Sequence, residues 1–68
     1  MNQISENLKI LIDPLDYPLR RQAALDILAM LGTLEAISAI RERARDPLEY
    51  PAIRYQAVDY LRKKGIMY

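Results

Sequence analysis

The sequence predicts an all-α fold of about four helices in which one helical unit occurs twice. The segment DPLDYPLRRQAALDILAMLG at residues 13–32 returns as DPLEYPAIRYQAVDYLRKKG at 46–65, a period of 33 residues. A fixed period of roughly 20 to 50 residues indicates stacked supersecondary units. Apolar residues recur at helical spacings of three and four, and no strand-like alternation competes with them. The 68 residues, 51% of them apolar, form one small domain spanning 1–68.

The first two helices are predicted over residues 3–12 and 18–31. The apolar stripe of the first consists of Ile4, Leu8, Leu11 and Ile12. Pro18 opens the second helix because its fixed φ suits a first turn, and Gly32 ends it because glycine readily adopts the left-handed conformation.

The other two helices are predicted over residues 34–45 and 51–64. Thr33 is the expected N-cap of the third helix, which therefore meets the second at a tight Gly-Thr corner. The fourth helix repeats the second, with proline at its start and Gly65 at its end. The order is thus helix, DPL[DE]YP corner, helix, glycine turn, helix, the same corner, and a last helix.

Each copy also repeats an aspartate and an arginine at one spacing. Asp13 precedes Arg21 as Asp46 precedes Arg54. We expect each corner carboxylate to pair with the arginine in the first turn of the following helix, forming a ladder that fixes the stacking of the repeats. Ligand binding by these residues is the alternative interpretation.

A set of residues characteristic of a known repeat extends from the second helix onward. It comprises Arg21, Ala24, Leu28, Gly32, Glu35, Ala36, Ile40, Ala44, Asp46, Ile53, Arg54, Ala57, Leu61 and Gly65. The set resembles the HEAT-like repeat of the phycobilisome (bilin) lyase type, which implies an α-solenoid of antiparallel helix pairs that binds macromolecules, usually proteins. The resemblance alone would also imply an accessory role in bilin attachment or phycobilisome handling. The sequence departs from the pattern at Arg20, where an aliphatic residue is expected.

Composition excludes several chemistries. Cysteine and histidine are absent, so the chain has no disulfide, no thiol nucleophile, no imidazole acid-base catalyst and no zinc site built on these residues. No histidine can activate a hydroxyl nucleophile, and both glycines are explained as helix stops rather than as a phosphate loop. We therefore predict no enzymatic activity, no catalytic residue, no metal and no cofactor. The absence of a signal peptide or membrane-span pattern predicts a cytoplasmic protein that has no membrane partner.

The predicted function is a non-catalytic protein-interaction or scaffold module with a protein partner. The last helix carries apolar residues that no following helix covers, and terminal repeats need a polar outer face to stay in solution. The expected interface consists of Tyr55, Tyr60, Ile66, Met67 and Tyr68. Core packing is the other interpretation of Tyr55 and Tyr60. Pairing two such edges about a two-fold axis would give an isologous homodimer.

Basic residues offer a further alternative. A candidate phosphate-binding patch comprises Arg41, Arg45, Arg62, Lys63 and Lys64. With ten basic and nine acidic residues, the net charge is only +1, so no global field favours nucleic acid. A solvated helix face, with cations at the negative end of a helix dipole, explains these residues better, and nucleic-acid binding is the second choice.

Overall fold

The structure of the protein, a computed structural model, describes residues 3–68. It has four helices there: α1 (Gln3–Ile12), α2 (Pro18–Leu31), α3 (Leu34–Arg45) and α4 (Pro51–Lys64). Their bounds are those predicted from the sequence, and residues 3–68 contain no strand. The all-α, four-helix prediction is therefore confirmed. No helix in this part of the chain combines the length and the apolarity needed to cross a membrane.

The helix ends are set by the predicted local signals. Gly32 and Gly65 adopt φ values of 62° and 69°, the left-handed region that glycine enters without strain. The Thr33 hydroxyl accepts a hydrogen bond of 3.2 Å from the Ala36 N–H, which makes Thr33 the predicted N-cap of α3. Proline stands at the start of both α2 and α4, where a missing N–H costs no intrahelical bond. The repeated segments therefore begin and end in the same way.

The apolar core is shared by all four helices. It consists of Leu11, Ala24, Leu25, Leu28, Ala36, Ile40, Ala44, Ile53, Ala57 and Leu61. Leu28 and Leu61, which occupy the same position in the two repeat copies, are both completely buried. The repeat in the sequence is thus a repeat of core positions as well as of corners.

Helix α2 contacts each of the other helices, and α1 also contacts α3. The backbones of α1 and α4 do not contact each other, so these two helices lie at opposite ends of the described part of the molecule. The overall extents are 30 × 24 × 14 Å. The shortest of these leaves room for only two layers of helices, because packed helix axes are about 8–10 Å apart.

Candidate functional site

The two DPL[DE]YP corners have the same local structure. In each, the aspartate accepts a 2.9 Å hydrogen bond from the N–H two residues later, Leu15 for Asp13 and Leu48 for Asp46. Such Asx turns explain why aspartate precedes proline in both copies. The side chains of Leu15 and Leu48 are almost fully exposed, so this leucine has no packing role in either corner.

The second acidic residue of each corner also acts in the same way locally. Asp16 accepts a 2.7 Å hydrogen bond from the Tyr17 N–H, and Glu49 accepts one of the same length from the Tyr50 N–H. Beyond that bond the two carboxylates differ. Asp16 lies 3.6 Å from the exposed Arg20 guanidinium, whereas Glu49 is buried in a larger ionic cluster.

The Glu49 cluster joins segments that are far apart in the sequence. Arg21 donates from Nη1 to Oε1 at 2.8 Å and from Nη2 to Oε2 at 2.7 Å, and both side chains are only 3% exposed. Arg43 donates to the same Oε2 at 2.8 Å. Arg21 also donates twice to the Leu11 carbonyl at the end of α1, at 3.0 and 2.7 Å. The cluster therefore fastens α1, α2 and α3 to the second corner.

This geometry gives Arg21 a different partner from the one the sequence predicted. Asp13 and Asp46 fold back onto their own turns, so neither carboxylate pairs with the arginine that follows it. The acid that reaches Arg21 belongs to the next corner, 28 residues later. Arg54 makes no ion pair with a described residue and lies over the Tyr55 ring, 5.8 Å from its centroid. An acidic residue occurs at the same position of both corners, Asp16 in the first and Glu49 in the second. This repetition was the sequence signal that could have identified Glu49 as a candidate partner.

Burial and hydrogen bonding act on Glu49 in opposite directions. Burial opposes the charged form and raises its pKa, whereas hydrogen bonds from Arg21, from Arg43 and from the Tyr50 N–H lower it. The hydrogen bonds prevail, so the pKa of Glu49 lies below its ordinary value of 4.5. Glu49 is therefore ionised at neutral pH.

This pKa makes the free energy of unfolding depend on pH. Because the folded-state pKa is the lower one, the contribution of Glu49 is complete above pH 4.5 and is lost as the pH falls through the folded-state pKa. Urea unfolding should therefore show stability falling below pH 4.5 more steeply in the wild type than in the double variant Arg21→Met, Glu49→Leu. Equal slopes would contradict an ionised, paired Glu49.

A groove of about 250 Å³ lies between the two corners. It is lined by Pro14, Asp16, Pro18, Arg21, Leu48, Glu49 and Tyr50. The polar groups of Arg21 and Glu49 are hydrogen-bonded to each other, which leaves little capacity for a ligand. The groove is thus better explained by the corner structure than by ligand binding.

One face of α2 contacts the second corner and α4. Gln56 of α4 donates to the Gln22 carbonyl at 3.0 Å and to the Asp26 carboxylate at 2.7 Å. Arg21, on the same face, binds Glu49. Polar contacts thus hold α4 and its corner against α2.

The equivalent face of α4 is more exposed to solvent than that of α2. A shift of 33 residues takes the contacting residues of α2 to Arg54, Tyr55 and Asp59. Tyr55 is 65% exposed, Asp59 is exposed and Arg54 is partly exposed. Leu25 is 1% exposed on α2, whereas its equivalent, Val58, is only half-buried. We call Arg54, Tyr55, Val58 and Asp59 the outer α4 face.

The residues predicted as an interface divide into two groups. Tyr55, Met67 and Tyr68 are exposed, and Met67 has 84% of its surface open to solvent. Tyr60 and Ile66 are partly buried and pack against the core. Core packing and an interface are the two interpretations of Tyr55 and Tyr60. The packing of Tyr60 fits the first, and the exposure of Tyr55 leaves it accessible for the second.

The predicted basic patch is distributed along two helices. Arg45 lies 3.3 Å from Glu42, and Lys63 lies 3.0 Å from Asp59. Arg62 and Lys64 are exposed at the end of α4, and the Nε of Arg41 is buried without a hydrogen-bond partner among the described residues. Arg45 ends α3, whereas Lys63 lies about 18 Å along the axis of α4 from the start of that helix. Because some of these side chains are already paired with acids and the helices hold them apart, they fit a single phosphate-binding surface poorly.

Comparison with known protein families, with curated proteins and with solved structures finds no match to this chain. The resemblance to HEAT-like repeats therefore rests on the residues of the repeat itself.

Proposed function

We propose that the protein is a small non-catalytic binding module built as a short α-solenoid of HEAT-like helix pairs. Helices in the same repeat position contact each other, α1 with α3 and α2 with α4, as successive units of a solenoid do. The thickness of two helix layers and the Asx turn shared by the two corners also support this arrangement. In such a stack each unit covers only its neighbours.

The observation that carries the proposed function is the difference between α2 and α4. On α4 the equivalent face is more exposed than on α2: Tyr55 and Asp59 are exposed, and Arg54 and Val58 are only partly buried. Tyr55 stands there in place of Gln22, and tyrosine is enriched at protein interfaces because its apolar ring ends in a polar group. The outer α4 face is therefore the docking surface for a protein partner, and a second copy of the chain is the simplest such partner.

The size of the surface sets the expected strength of the association. A standard stable interface buries about 800 Å² on each partner. That area is about one sixth of the 4718 Å² accessible surface of this protein, which exceeds what one helix face provides. The exposed residues Met67 and Tyr68 would have to contribute as well. We expect reversible, concentration-dependent association rather than an obligate oligomer.

Changing Tyr55 to glutamate should weaken self-association without unfolding the chain. The side chain is exposed, so the folded monomer loses little, whereas in the interface a carboxylate would lose its hydration and the apolar contact of the ring would be lost. The matched control is Leu34→Glu, an exposed apolar residue at the start of α3 that lies outside the outer α4 face. Sedimentation equilibrium should show weaker association for Tyr55→Glu and wild-type association for Leu34→Glu. A wild-type chain that stays monomeric at millimolar concentration would contradict self-association.

A further inference from the structure

A second surface of the protein is the repeat counterpart of the second corner and of the first turns of α4. Shifting Glu49, Ile53 and Gln56 back by 33 residues gives Asp16, Arg20 and Ala23. We call these three residues the outer α2 face. Ala23 is exposed, and the side chains of Arg20 and Asp16 are 59% and 15% exposed. In a longer stack of repeats, a preceding unit would pack against this face.

We propose that two copies associate head to tail, with the outer α2 face of one copy on the outer α4 face of the next. The proposal rests on the proposed function and specifies its partner and register. Asp16 of the second copy would accept hydrogen bonds from Arg54 as Glu49 accepts them from Arg21. The contact continues the 33-residue repeat from one molecule into the next.

Charge complementarity favours this register. Arg54 carries a guanidinium with no carboxylate partner among the described residues, and this guanidinium lies 5.8 Å from the centroid of the Tyr55 ring. Asp16 already makes the same local hydrogen bond as Glu49, because each accepts from the following N–H at 2.7 Å. An isologous dimer of two outer α4 faces would bring two such arginines into one interface and would leave Asp16 unused.

One residue weakens the contact relative to the one inside the chain. Arg20 occupies the position of Ile53, which is completely buried in the apolar core. In a head-to-tail pair its guanidinium would have to stay paired with Asp16 or turn toward solvent. The association is therefore weaker than the α2–α4 contact, and it stays open-ended because each copy retains one free face of each kind.

Position 23 gives a test with opposite outcomes from two similar side chains. In the proposed register, residue 23 of one copy faces Asp59 of the next, as Gln56 faces Asp26. Ala23→Gln should add that hydrogen bond and raise the association constant about fivefold. Ala23→Glu should place a second carboxylate beside Asp59, which already has Lys63 as its partner at 3.0 Å, and lower the constant by at least as much. Both variants lie at an exposed position and should melt as the wild type does. Equal association constants for the two would overturn the register.

A mixing experiment separates this proposal from the broader one. Under head-to-tail association, Ala23→Glu and Tyr55→Glu each block one of the two faces, so each should be monomeric alone. Their equimolar mixture should form a heterodimer and nothing larger, because one intact face of each kind remains. Sedimentation velocity reports all three samples.

The other outcomes are distinct. If Ala23→Glu alone dimerises like the wild type, the outer α4 face still docks, but isologously, and the head-to-tail proposal fails. If the wild type is monomeric as well, self-association fails together with this proposal, and only capture of another protein by the outer α4 face would remain of the proposed function.

Discussion

Replacing Glu49 with glutamine is expected to lower the free energy of unfolding by about 3–5 kcal/mol. The substitution removes the charge that compensates Arg21, whose side chain is only 3% exposed. A chain of 68 residues has a total stability of only about 3–10 kcal/mol, so a large part of the population should unfold. Urea unfolding followed by circular dichroism measures the loss.

The repeat supplies a matched control for this substitution. Asp16→Asn removes the charge of the equivalent corner acid, whose arginine partner is exposed and 3.6 Å away. Exposed ion pairs contribute about 0–1 kcal/mol, and asparagine keeps an oxygen to accept from the Tyr17 N–H. A loss for Glu49→Gln no larger than that for Asp16→Asn would contradict the role assigned to the buried cluster.

The cause of the loss can be tested with the double variant Arg21→Met, Glu49→Leu. Replacing both members of a buried ion pair with apolar residues is often neutral or stabilising. The double variant should therefore be more stable than Glu49→Gln alone. Arg43 keeps Asp46 as a carboxylate neighbour at 3.7 Å. If the double variant were as unstable as the single one, the loss would come from the corner geometry and not from an uncompensated charge.

Leu28→Ala and Leu61→Ala are each expected to cost about 2–5 kcal/mol. Both side chains are completely buried, so each substitution removes apolar contacts and leaves a cavity. Because the two leucines occupy the same repeat position, the two losses should also be similar in size. Thermal unfolding of the two variants checks both statements.

Leu34→Ala is the control for these core substitutions. Leu34 is 86% exposed at the start of α3, so its truncation should change stability by no more than about 0.5 kcal/mol. A much larger loss at Leu28 than at Leu61 would mean that the two copies are not equivalent in the core.

The helices could be predicted from the sequence because local signals determine their ends. Pro18 and Pro51 open helices wherever the rest of the chain lies, and Gly32 and Gly65 end them by a conformation that depends on neighbouring residues only. Thr33 caps α3 through a contact three residues away. The structure confirms each of these.

The partner of Arg21 could not be predicted in this way. The sequence offered Asp13, eight residues earlier, whereas the structure uses Glu49, 28 residues later. That choice depends on how the second corner packs against α2, which is a tertiary contact. The exposure of Tyr55 and the partial burial of Tyr60 likewise depend on which face of α4 lies against α2.

The central claim is that the outer α4 face is a docking surface, and a residue-resolved dilution series tests it most directly. Backbone amide NMR spectra would be recorded from millimolar to micromolar concentration. We expect the amide resonances of Tyr55, Val58 and Asp59 to shift with concentration, together with that of Ala23, while that of the buried Ala36 stays in place. Resonances of α4 that do not move over this range, or movement confined to other surfaces, would contradict the claim.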